Sequence, residues 1–121
     1  MDIECIHQYT MSLPAVSETF PFDDRHLVYK VLDRMFALID LENPTQISLK
    51  CDPEYALQLR EQYPAIQGAY HFNKKYWNSV ALDGTVSSQL IRQLIEHSYQ
   101  EVIKKFTRKQ RQAYELHLPK S

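Results

Sequence analysis

The residue types best suited to chemistry gather in one stretch, AYHFNKKYWNSVALDG, residues 69–84. His71, Asn73, Lys74, Lys75, Tyr76 and the single tryptophan, Trp77, fall within seven positions of it. Two lysines on a protruding turn are suited to phosphate, and Asn73 can donate to a phosphate oxygen or a base edge. His71, Tyr76 and Trp77 offer rings on which an unpaired base stacks. Lys50 adds a further cation if it faces the same side. The same residues also have a structural reading: Asn73 shapes a turn, the lysines are solvated, and Trp77 fills the core with its N–H bonded locally. Arg34, with Lys30 nearby, is a second candidate cation, opposed by the adjacent Asp33 carboxylate. Lys104, Lys105, Arg108, Lys109 and Arg111 form another basic set, or else the solvated end of a helix, where cations are favoured anyway. Three cations on duplex phosphates would give log affinity a slope of about −2.7 against log salt, so such binding is weak and non-specific at physiological salt.

Other chemistries find less support. With two glycines in the whole chain there is no phosphate-cradling loop and no nucleophile elbow. The five histidines, His7, His26, His71, His97 and His117, show no close metal-ligand spacing. Cys51 precedes Asp52 but alternates onto the apolar side of its segment, where an inert core thiol is expected. Ser98 and His97 are neighbours on a helix and point apart. Glu18 is acidic in an otherwise apolar loop, with no chemistry assigned. A non-enzymatic protein with no cofactor and no metal is therefore expected. Tyr70, Tyr76 and Tyr99 with Trp77 would suit a protein-binding patch, or an aromatic-rich core.

These residues need a scaffold, and 121 residues at 44% hydrophobic and 24% charged suffice for one domain with its own core. No apolar run reaches the roughly 20 residues that span a bilayer, and the N-terminus lacks a basic-then-apolar leader. No membrane association, a cytoplasmic location and reduced Cys5 and Cys51 are expected. The net charge is −1, with five basic against ten acidic residues over 1–60 and nine against five over 61–121. A dipolar surface follows, and a local basic face attracts phosphate even on a neutral protein.

Local signals place the elements. Asp2 caps a helix carrying Ile3, Ile6 and Tyr9, and Pro14 stops it. Residues 15–24 read as a loop anchored by Phe20 and Phe22. HLVYKVLDRMFALIDL (residues 26–41) fits one amphipathic helix or two short strands meeting at Asp33 and Arg34, and periodicity alone leans to the helix. Ile47, Leu49 and Cys51 alternate as a strand. Asp52 and Pro53 start a helix that ends before Pro64. Residues 67–72 and 76–82 pair as a hairpin joined by Asn73, Lys74 and Lys75. Ser87 or Ser88 caps a long helix with a Leu90, Ile91, Leu94, Ile95, Val102 and Phe106 stripe, and a capping box at Thr107–Gln110 opens a short terminal helix.

Several separated segments, in order, resemble the MmcQ/YjbR family of small bacterial proteins: LPAVSETFPF (13–22), VYKVLDRMFAL (28–38), SLKCDPEYALQLREQYP (48–64), AYHFNKKYWNSVALDG and HSYQEVIKKF (97–106). The resemblance implies a single α+β domain over residues 1–121, an antiparallel sheet of hairpins with helices packed on it, similar to CyaY-like and secretion-chaperone-like architectures. It makes residues 28–38 a β-hairpin. Asp33 and Arg34 then stand at a turn that usually contains glycine, and Gly68 stands where the family often has proline. The resemblance also implies DNA binding through two hairpin wings; the residue reading then puts His71, Asn73, Lys74, Lys75 and Trp77 on one wing, with Lys50 beside it if it faces the same side, and Arg34 on the other with Lys30 nearby. A protein partner, as some relatives by fold have, is the alternative.

Overall fold

Asp2 caps α1 (Ile3–Met11) by accepting the Cys5 N–H. The computed structural model describes residues 1–69 and 72–119. After α1 the chain runs β1 (Val16–Thr19), β2 (His26–Val31), β3 (Arg34–Asp40), β4 (Gln46–Lys50), α2 (Pro53–Gln62), β5 (Ile66–Gly68), β6 (Trp77–Ala81), α3 (Ser88–Ile103) and α4 (Arg108–Glu115). Among the described residues the strands form one antiparallel sheet in the order β1-β2-β3-β4-β6-β5. The architecture is α+β, with α3 across β2, β3 and β4, α1 against β1 and α3, and α2 against β5.

Residues 26–41 form the hairpin that the resemblance implies, not a helix. The helical periodicity arises from a β-bulge: the register steps from Tyr29↔Ala37 to Lys30↔Met35, leaving Phe36 as the extra residue. Phe36 and Ala37 are thus both buried in the core although adjacent, which mimics the spacing of a helix. The turn is Leu32 and Asp33, not Asp33 and Arg34, because Val31 pairs with Arg34. Leu32 takes the positive φ, 55°, that glycine most readily adopts. Residues 15–24 are not all loop, since Val16–Thr19 pairs with β2 as an edge strand. That strand is led in by Ala15 at φ 64°, whose carbonyl accepts the Leu32 N–H at 3.1 Å. The second hairpin has shorter strands than its pattern predicts: β5 stops at Gly68 and β6 begins at Trp77. Residues 70–71 of the expected strand lie outside the described residues.

The two sheet faces differ in chemistry. The helix-covered face buries Leu27, Tyr29, Ile39, Ile47, Leu49 and Val80. The alternate positions form a register row across the whole sheet: Thr19, Val28, Leu38, Ser48, Ser79 and Gln67. At the far end of β3 and β4 the ladder opens, and α3 closes the gap. Ser98, fully buried, donates to the Phe36 carbonyl at 2.5 Å and accepts the Lys50 N–H at 2.9 Å. One hydroxyl thus satisfies the bulge carbonyl and the strand-end amide together.

Candidate nucleic-acid interface

Lys50 ends β4 opposite Trp77, where the splayed strands meet the C-terminal end of α3. Burial lowers its pKa first, and the neighbouring Lys105 and Arg34 charges lower it further, with Glu101 opposing. Cations from β3 and the end of α3 therefore act on the one half-buried ammonium of β4. Tyr76 joins them: Lys105 Nζ stands 5.4 Å and Lys75 Nζ 5.5 Å from its ring centroid. A ring approached by two ammonium groups attracts both. Lys75 and Lys105 at Tyr76, with Lys50 feeling the charges of Lys105 and Arg34, join residues that the linear chain separates.

The hairpin that carries Lys75 is tethered from α2. Arg60 donates through Nε to Asn78 Oδ1 at 2.7 Å, and its terminal nitrogen bonds the Lys74 carbonyl. Asn73 shapes the turn: its Oδ1 accepts the Lys75 N–H and its carbonyl accepts the Tyr76 N–H, each at 3.0 Å. Lys74 is exposed, but its methylenes lie across Gly68, where a Cβ would sit only 3.1 Å from Lys74 Cγ. A side chain at position 68 would require the Lys74 methylenes to shift by a few tenths of an ångström. Trp77 is 9% exposed and stacks on Phe72 with centroids 4.6 Å apart and planes at 18°. Its ring is thus already stacked, and Phe72 is the outer one. His71 and Tyr70 lie outside the described residues.

The first hairpin does not project as a free wing. Arg34 donates to Gln110 Oε1 at 2.9 Å with its guanidinium 5.8 Å from the Phe106 centroid. Asp33 Oδ1 accepts from the same Gln110 side chain at 3.2 Å. The tip is docked on the start of α4, and the Asp33 carboxylate is occupied there. Lys30 stands at the bulge, opposite Met35, with β3 between it and Lys50. Of the terminal basic set, Lys105 joins the cluster. Lys104 pairs with Glu101 at 2.7 Å, and Arg111 donates to the Ile103 carbonyl at the end of α3.

Tyr99 belongs to the core and not to a surface patch. Tyr99 is 2% exposed, its hydroxyl bonded to the Pro14 carbonyl and to the Tyr114 hydroxyl. The remaining nucleophiles and ligands are structural. Burial pushes the Cys51 thiol up to about 12. His97 Nε2 accepts the Asp52 N–H at 3.1 Å, and burial lowers its pKa. Glu18, unassigned from sequence, stands 3.8 Å from His7, whose Nδ1 meets the Tyr29 hydroxyl at 2.8 Å. Among the described residues no three His, Cys, Asp or Glu side chains converge as a metal site, and no helix is long and apolar enough to cross a membrane. Sequence reasoning missed the Lys105 contribution, because nothing in a helix stripe says where the helix ends against the sheet. It also missed Arg60 and Phe72. The alternation in ISLK (47–50) and WNSVA (77–81) did carry a signal for Ser48 and Ser79, which it sets opposite to the apolar face.

A family model described as YjbR matches residues 11–101. The Escherichia coli (strain K12) protein YjbR is 35% identical over 104 residues, covering 85% of this chain and 88% of that one. YbdF of Escherichia coli O157:H7 is 34% identical over 108 residues, with coverage of 85% and 88%. A crystal structure of a Deinococcus radiodurans protein with a DUF419 domain superposes with a TM-score of 0.86 at 45% identity, over 98% of this chain and 90% of that one. A Pseudomonas syringae crystal structure gives 0.72 at 28% identity, over 84% and 98%.

Proposed function

The chain belongs to the YjbR family, and from that premise we propose that it binds nucleic acid through phosphate contacts at the cationic end of its sheet. The observation that carries this reading is the convergence of Lys75 and Lys105 on the Tyr76 ring, with the Lys105 and Arg34 charges near enough to Lys50 to lower its pKa. Like charges held together in a half-buried setting repel, and a phosphate placed among them relieves that repulsion. Lys75 and Lys105, both held at the Tyr76 ring, extend the surface along a backbone. The contact uses the second hairpin and the end of α3, and takes Arg34 from a first hairpin whose tip Gln110 holds against α4 instead of leaving it a free wing. The protein acts as a binding module in the cytoplasm, without catalysis or cofactor. Its affinity comes from phosphate charge and falls steeply with salt.

An amide-resolved NMR titration with short single-stranded and duplex DNA, at low and moderate salt, tests this. Shifts are expected at Arg34, Lys50, residues 73–77 and Lys105, shrinking as salt rises. Charge reversal by Lys75→Glu with Lys105→Glu should abolish them while the fold persists. A folded wild-type protein that shows no shifts at low salt would refute the reading.

A further inference from the structure

The sheet face turned away from the helices holds a cavity of about 700 Å³, within the size range of small-ligand sites, about 300–1,000 Å³. Its floor is Leu38, Ser48 and Ser79, three members of the register row. Phe22, 65% exposed, and Phe72, stacked on Trp77, supply its aromatic surfaces. Ser48 is 7% and Ser79 8% exposed, and neither hydroxyl has a hydrogen-bond partner among the described residues. Two paired positions of a central sheet thus carry hydroxyls that open onto the cavity, each able to donate and to accept, since every fully buried side-chain oxygen among the described residues is already hydrogen-bonded.

The charges around the opening narrow the occupant. Arg25 donates to Asp40 at 2.7 Å and bridges Glu42 at 3.1 Å, while Asp23 holds His26 at 2.8 Å. Arg25 keeps the Asp40 carboxyl ionised, down to about 2. Three carboxylates against one guanidinium disfavour a phosphate at this end, so the cavity suits a neutral, flat group with donors and acceptors on its edge. The cationic end is close. Lys50 is two residues beyond Ser48 on β4, a distance of about 7 Å. Trp77, opposite Lys50 in register, carries the Phe72 ring on its own. We propose that this cavity receives one unpaired nucleobase of a single strand, stacked against Phe72 and Phe22 and hydrogen-bonded to Ser48 and Ser79, while the phosphates of that strand lie on the Lys50–Lys105 end.

This proposal rests on the phosphate reading above, and the test separates the two. Fluorescence anisotropy compares a short single-stranded DNA, an abasic sugar-phosphate strand of equal length, and the corresponding duplex. The base-bearing strand should bind about tenfold tighter than the abasic one, a typical value for one base stacked on an aromatic ring. Phe22→Ala, at an exposed position, and Ser79→Val should each reduce that ratio while leaving abasic binding unchanged. Amide shifts at Leu38, Ser48 and Ser79 should appear only with the base-bearing strand. Equal affinity for the base-bearing and abasic strands would overturn the base site and leave the phosphate reading intact. Failure to bind either strand would overturn both. Free thymidine or adenosine shifting Ser48 and Ser79 in a protein that ignores every strand would overturn the strand as the source of the base.

Discussion

Lys105→Gln should change the salt dependence of DNA binding by a countable amount, and Lys104→Gln should not. The two lysines are adjacent, but Lys104 is paired with Glu101 at 2.7 Å while Lys105 lies over Tyr76 beside the charge of Lys50. Each phosphate neutralised on a single strand adds about −0.7 to the slope of log affinity against log salt, so Arg34, Lys50, Lys75 and Lys105 together give about −2.8. Between 50 and 200 mM salt that slope weakens binding about 50-fold; with Lys105 removed the slope is about −2.1 and the loss about 18-fold. Both substitutions are at exposed positions after the last turn of α3, so the fold is expected to stay intact, which a denaturant melt checks. Anisotropy of a labelled single strand over a NaCl series measures the slopes. Equal slope changes in the two variants would mean that only net charge matters and that the arrangement around Tyr76 has no part in binding. An unchanged slope for Lys105→Gln would remove α3 from the interface.

Ser98→Ala strands the Phe36 carbonyl and the Lys50 N–H, now bonded at 2.5 and 2.9 Å, and should cost about 2–4 kcal/mol of unfolding free energy; chemical denaturation showing no loss would refute the bridging role. His97 must be neutral to accept the Asp52 N–H, and its pKa is lowered from 6.5. Its stabilising contribution is complete above pH 6.5, declines as pH falls below that value, and levels off once pH passes the lowered folded-state value. His97→Gln should flatten the melting temperature over that window, and a variant as acid-sensitive as the wild type would exclude His97 as the cause. Cys5 is exposed and Cys51 buried with its thiol pushed up to about 12. A maleimide reagent should label Cys5 in the native protein and Cys51 only on unfolding; prompt double labelling would contradict the closed core around β4.

Short-range chemistry was legible from the chain because it needs only neighbouring residues. Asp2, Asp52, Ser87 and Thr107 each cap the helix their positions announce, since a cap joins atoms two or three residues apart. The turn role of Asn73 and the burial of Cys51 were legible for the same reason. The ordered family segments also carried the hairpin at residues 26–41 against its own periodicity. That periodicity misled because one bulged residue, Phe36, shifts the alternation, and a bulge is specified by the partner strand and by Ser98 from a distant helix. The edge strand β1 was hidden likewise, since its pairing with β2 lies outside any local window. What the tertiary structure alone decided is which cations meet. Arg34 was assigned to a free tip, yet Gln110, 76 residues away, holds it against α4. Lys105 was counted with a solvated helix end, yet the length of α3 carries it to Tyr76 and Lys50. Capping and alternation act over a few residues and can be read in order along the chain. Charge acts through space, and only the packing of α3 across the splayed end of β3 and β4 determines which charges share that space.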